Sequence, residues 1–355
     1  MKKILMPVFA LFMLTAHAQT EVEAYQPGLT AEGITYFLPK TGLHLTVKAK
    51  RVAYVPGEYC QYAERYLRLK NVTMSPYETW QITDVTMTPY GVADKQKAYS
   101  VKLKTKTSAP LVGLAPDGRL LSVNSEAPEL PRLSVASVGE KVSSRVAGSD
   151  FKTEEILLAG STAKMAELAA EEIFDIRDNR GLLAKGQADF MPKDGEQLRL
   201  MLESLDKQEK ALLQLFKGYT TTEEHVFTFD YVPAGEVKND LIFRFSTHLG
   251  MVDADDLAGA PVTITVKDLQ SLPPVMTDGK KKKEVEGLRY MLPGRAGIKV
   301  FWDGKEVAAA TSLPMAQFGR VENLGGDLFN KKYTTRVVLS PETGGIVKID
   351  ADEPE

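Results

Sequence analysis

The stretch Tyr54-Val-Pro-Gly-Glu-Tyr-Cys-Gln-Tyr-Ala-Glu-Arg-Tyr-Leu67 gathers residues with chemical potential: four tyrosines, acids, an arginine and the chain's one cysteine. A cysteine nucleophile needs a base and a lowered pKa. Cys60 would lie near a helix N-terminus, which favours the thiolate. Yet His44, His225 and His248 stand in no cysteine-protease context, and a free cysteine is ordinarily a small buried hydrophobe. Glu58, Tyr59, Tyr62 and Arg65 form the candidate ligand surface, because rings and opposite charges close together on one helix can hold a sugar or a peptide. In the competing reading the tyrosines pack the core and only their hydroxyls reach the surface.

Other chemistry is weaker. The histidines have no paired metal-ligand spacing, and there is no H-E-x-x-H or C-x-x-C. Asp253-Ala-Asp-Asp256 fails as a calcium loop, since the sixth and twelfth positions are Ala258 and Ile264 instead of Gly and Glu; helix capping is the expected role. Lys280 to Lys283 read as a solvated charge run. There is no G-x-S-x-G elbow and no phosphate-binding glycine loop. Acid pairs for glycoside cleavage come from distant parts of a chain and leave no local mark. No catalytic residue, metal ligand or cofactor is assigned.

The elements that would position these residues are mostly strands. Ile34–Leu38 and Leu43–Val47, flanking Pro39-Lys-Thr-Gly42, predict a hairpin. So do Leu111–Leu114 and Arg119–Val123 around Ala115-Pro-Asp-Gly118, and Val337–Leu339 with Ile346–Ile349. Val52–Val55 is a strand, Pro56-Gly57 a turn, and Glu58 to Leu69 a helix with Tyr59, Tyr62, Ala63, Tyr66 and Leu67 on one face. Asn124 to Asp150, rich in Ser, Pro and Gly, reads as a linker or mobile loop. The middle is helical. Ser161 caps a helix with stripe Met165, Leu168, Ala169, Ile173 and Ile176, ending near Asn179-Arg-Gly181. Asp194 and Gln197 open a second, with stripe Leu198, Met201, Leu202, Leu205, Leu212, Leu215 and Phe216, ended by Gly218. These helices should cover a sheet or bridge two β domains. Strands return at Val226–Val232 and Leu241–Ser246. The class is α+β: β-rich, with antiparallel sheets and hairpins in the N- and C-terminal parts and a helical middle.

Two echoes recur. Gly33-Ile-Thr-Tyr-Phe-Leu-Pro39 resembles Gly287-Leu-Arg-Tyr-Met-Leu-Pro293, and Tyr54-Val-Pro-Gly-Glu58 resembles Tyr231-Val-Pro-Ala-Gly-Glu236. Their order is reversed between the halves, so each reads as a strand leaving through a proline, which has no N–H to donate.

At the N-terminus Lys2-Lys3, the apolar run Ile4–Leu14 and Ala16-His-Ala18 have the order of an export signal with cleavage before Gln19. No later segment is apolar for long enough to cross a membrane. The predicted division is 1–18 signal, 19–150 β-rich with one short helix, 151–218 helical and 219–355 β-rich. The formal net charge of the 355 residues is −3, more negative still without Lys2 and Lys3, which argues against nucleic acid as a partner. One cysteine cannot make an internal disulfide, so packing must hold the fold.

Together the signal, Tyr54-Val-Pro-Gly-Glu-Tyr59, Tyr290-Met-Leu-Pro-Gly-Arg-Ala296 and Ala316-Gln-Phe-Gly-Arg-Val321 resemble an uncharacterised family of exported proteins, a domain of unknown function, from Bacteroides-like bacteria. The resemblance covers the whole mature chain. It implies a Gram-negative envelope location and transfers no catalytic residue. The expected function is non-catalytic binding or scaffolding in the periplasm or at the surface, with an envelope protein or glycan as partner. The alternatives are a hydrolase of envelope or dietary polysaccharide or peptide, and a structural subunit of an envelope assembly.

Overall fold

Alternation of apolar and polar residues dominates this chain, and antiparallel strands dominate its fold. The structure is a computed structural model describing residues 21–24, 34–102, 111–146, 148–274, 287–325 and 334–352. The predicted signal and Lys280 to Lys283 lie outside them.

In chain order come β1 (Glu21–Ala24), β2 (Ile34–Val55), α1 (Ala63–Leu67), β3 (Tyr77–Lys102), β4 (Val112–Leu114), β5 (Leu120–Val123), β6 (Ser137–Val138) and β7 (Val142–Ser143). The middle holds α2 (Glu154–Leu158), α3 (Thr162–Lys185) and α4 (Gly195–Lys217). Then follow β8 (Tyr219–Tyr231), β9 (Val237–Ser246), β10 (Gly250–Val252), β11 (Ala260–Asp268), β12 (Gly287–Trp302), β13 (Lys305–Gly325), β14 (Thr334–Leu339) and β15 (Ile346–Asp352).

Three sheets result. The first runs β1-β3-β2-β8, with β6 and β7 both on β8; the second runs β10-β9-β11-β12-β13; the small one runs β15-β14-β5-β4. The first and small sheets each combine strands far apart in the chain, through β2 with β8 and β5 with β14. Leu43, Leu45, Val47 and Ala49 of β2 meet Phe243, Phe245, Val262, Ile264, Ile298 and Val300 of the second sheet. Each fully buried side chain of this kind contributes about 1.5–3 kcal/mol. Tyr36 and Leu38 join Leu120, Val123, Leu288, Met291, Val337 and Leu339 where all three sheets converge.

The expected hairpin at 34–47 is instead one long strand. Tyr36 and Leu38 bury one face of β2, and Leu43, Leu45, Val47 and Ala49 bury the other. The alternation resets by one residue through Pro39-Lys-Thr-Gly42, and a reset in phase looks like a turn in the sequence. Pro39 is tolerated because β8 does not pair with β2 before Leu43. Two residues earlier the Phe37 N–H donates to the Gly118 carbonyl (2.9 Å), so the bond Pro39 omits falls on a side with no strand. Its echo behaves alike. The Met291 N–H donates to the Gly344 carbonyl (3.0 Å), and Pro293 follows at a register shift inside β12. The echo marks bends within two strands, not strand ends. Gly118 and Gly344 both lie in the left-handed region (φ +84° and +71°), as the turns of β4–β5 and β14–β15 require.

Those two hairpins and the helix caps follow the sequence. Ser161 accepts from the Lys164 N–H (3.3 Å) and Asp194 from the Gln197 N–H (2.7 Å). The first long helix runs past Gly181 to Gly186, because Leu183 stays buried and Arg180 binds Asp206 and Glu209 of α4. Among the described residues the helices' core contains no strand side chain. The helices pack on each other, on Ile156 and on Tyr59, Ala63 and Leu67, in a core of their own. The segment 124–146 is pinned rather than loose, through β6 and β7 on β8. Asp253 to Asp256 form a turn, not a helix start.

Candidate binding cleft

The Tyr54–Leu67 stretch divides. Residues Cys60–Tyr62 form a single 3-10 turn, and only Ala63–Leu67 are α-helical before Arg68 turns left-handed. Tyr59 is fully buried, its ring 5.6 Å from that of Phe216, and burial raises its pKa. Glu58 is exposed and pairs with Lys152 (2.7 Å), whose ammonium lies 5.2 Å from the Tyr59 ring centre. Glu58 opens on a pocket of about 160 Å³ with Arg145, Lys152, Gln214 and Tyr219. Tyr62 and Arg65 do not line it; they gather around Tyr66 at 6.0 and 5.2 Å. Cys60 is half-buried.

Two polar clusters bear on catalysis. His44 is buried and hydrogen-bonded; its Nδ1 meets the Asp230 carboxylate (2.7 Å) and its Nε2 the Ser134 carbonyl (3.0 Å). The Ser134 hydroxyl faces Thr46, so serine and histidine are not joined as nucleophile and base, which requires a hydroxyl-to-ring hydrogen bond. Arg51 donates twice to Glu78 (2.7 Å each) and once to Glu223 (2.9 Å). These bonds hold both carboxyls below the usual carboxylate range. A glycosidase general acid needs the opposite shift. Among the described residues no group of three His, Cys, Asp or Glu side chains is placed to hold a metal.

A larger concavity lies where β12, β13 and β15 approach each other. It encloses about 410 Å³, within the range of ligand sites. β12 supplies Tyr290, Leu292 and Pro293, β13 supplies Pro314, β3 supplies Pro89, and β15 supplies Ile346 and Val347. The turn Ser340–Gly345 closes one end, and its polar groups satisfy one another. The Ser340 hydroxyl donates to Glu342 (2.6 Å) and accepts from the Thr343 N–H (3.1 Å), and the Gly344 N–H donates to the Ser340 carbonyl (2.8 Å). Thr41 fastens the turn from outside, donating to the Glu342 carbonyl (3.0 Å) and accepting from the Ala316 N–H (3.0 Å). Three prolines contribute no N–H. The cleft is therefore a mainly apolar slot whose one lining charge, Glu342, is held by the Ser340 hydroxyl.

Sequence reasoning singled out Tyr290 to Pro293 as a motif but gave it no site. The signal was the echo: the Pro39 and Pro293 bends are held by the two turns that frame this corner. Pro89, Pro314 and Val347 carried no local sign.

No curated protein and no solved structure matches this chain. A family model described as "Domain of unknown function (DUF4831)" matches residues 32–347.

Proposed function

The chain belongs to the DUF4831 family, and from that premise we propose an exported, non-catalytic binding protein of the bacterial envelope that takes an apolar polypeptide segment in the cleft between β12 and β15. Export is supported by the order of Lys2-Lys3, the apolar run and Ala16-His-Ala18, and the Bacteroides-like setting by the quoted motifs. The observation that carries the binding reading is the 410 Å³ slot lined by Tyr290, Leu292, Pro293, Pro314, Ile346 and Val347. A glycan would need many free hydrogen-bonding groups, and here the turn uses its own. Apolar side chains of a polypeptide fit such a lining, because affinity then comes from displaced water.

A photoreactive amino acid at Ile346, in protein made by the bacterium that produces it, tests the reading. One polypeptide adduct, lost when Leu292→Asp is added, is expected. An adduct with glycan, or none, overturns it. Mass spectrometry of the same sample should place the mature N-terminus at Gln19.

A further inference from the structure

The small sheet ends at β15, and among the described residues no strand pairs with its outer edge. Val347 is 67 % exposed and Ile349 42 %. Ile349 stands across from Val337, which is fully buried, so the apolar face of the sheet is covered at β14 and emerges to solvent at the β15 rim. Such an edge is a template for another strand.

The edge carries its own complement. Its sequence is Val347-Lys-Ile-Asp-Ala351, with Lys348 and Asp350 on one face and 2.6 Å apart. We infer that β15 pairs antiparallel with β15 of a second copy, about a two-fold axis through Ile349, so that two small sheets become one. Lys348 then stands across from Asp350 of the second copy, and Asp350 across from its Lys348. Ile349 meets its own counterpart, and each Val347 faces an Ala351. Opposite charges and apolar pairs directly across a ladder are stabilising, and like charges are not. A shift by two residues one way sets Lys348 against Lys348, and the other way Asp350 against Asp350. A slip by one residue carries the apolar set to the wrong face. The charge pattern therefore selects a single register. It also refuses unrelated strands, since a lysine on an edge deters them. The interface shares Val347 with the cleft lining, but its charge pairs lie outside the cleft and hold whether or not the cleft's ligand is a polypeptide.

Sedimentation velocity of the mature chain across a wide concentration range tests it, with four proteins: wild type, Lys348→Asp, Asp350→Lys and the double exchange. The wild type should show concentration-dependent dimerisation. Each single change turns two opposite-charge pairs into like-charge pairs and should raise Kd roughly tenfold. The double exchange restores both pairs and should return Kd to within about threefold. Circular dichroism confirms that each protein is folded, and having two single variants covers the loss of one. A monomer at every concentration, a dimer indifferent to both single changes, or a folded double exchange as weak as the singles would each overturn the inference.

Discussion

The Tyr36 phenol meets the backbone of Arg289 twice, donating to its carbonyl (3.2 Å) and accepting from its N–H (3.1 Å). It thereby ties β2 to β12 where the three sheets converge. Tyr36→Phe keeps the ring and orphans both backbone groups, so a loss of about 1–3 kcal/mol in urea unfolding is expected. Burial raises the pKa of this phenol far above the ordinary tyrosine value. The unfolded chain ionises first, so this stabilisation is complete below pH about 10 and is lost as pH rises beyond it. Tyr36→Phe should therefore flatten the alkaline fall in stability. Arg51 works at the other end of the scale. It lowers Glu78 and Glu223, so the stabilisation is present above pH about 4.5 and fades as pH falls below it. Arg51→Met should be less stable at neutral pH and should show a shallower acid transition by the same assay.

Elements differ in how openly the sequence declares them. The caps Ser161 and Asp194 were legible because capping is local: one side-chain oxygen and an N–H three residues on. The β4–β5 and β14–β15 hairpins were legible for the same reason. β2 was not, because its reset in phase depends on which sheet each half packs against, and that partner lies more than 200 residues away. The cleft was illegible likewise, its walls coming from β3, β12, β13 and β15. Of the four ligand-surface candidates, Tyr59 went to the core because α2, α3 and α4 bring their own apolar faces to it. These helices share little core with the sheets, so Leu212→Ala, which empties a fully buried site, should cost about 2–5 kcal/mol. Hydrogen exchange should quicken in α3 and α4 before it quickens in β2.

At the scale of the whole molecule, strands more than 200 residues apart complete one another. Val337 and Val338 pair with Val123 and Ser122, and Val337 and Leu339 pack against Leu120 and Val123. A chain stopped after residue 333 would expose Leu120, Val123, Leu288 and Met291 together; it should bind a hydrophobic dye and show no cooperative thermal transition. The same long-range pairing should make refolding of the full chain slow, since distant loops must close before their contacts reward them. The pairing of β5 with β14 also fixes an order of events during synthesis. β5 leaves the ribosome some 200 residues before its partner does, roughly ten to forty seconds at ordinary rates of elongation. Throughout that interval the corner around Tyr36 has no lid. That corner stays open until almost the whole length of the chain is available, and a fold whose last seam closes so late is one that a polypeptide threaded through a narrow pore can complete on the far side.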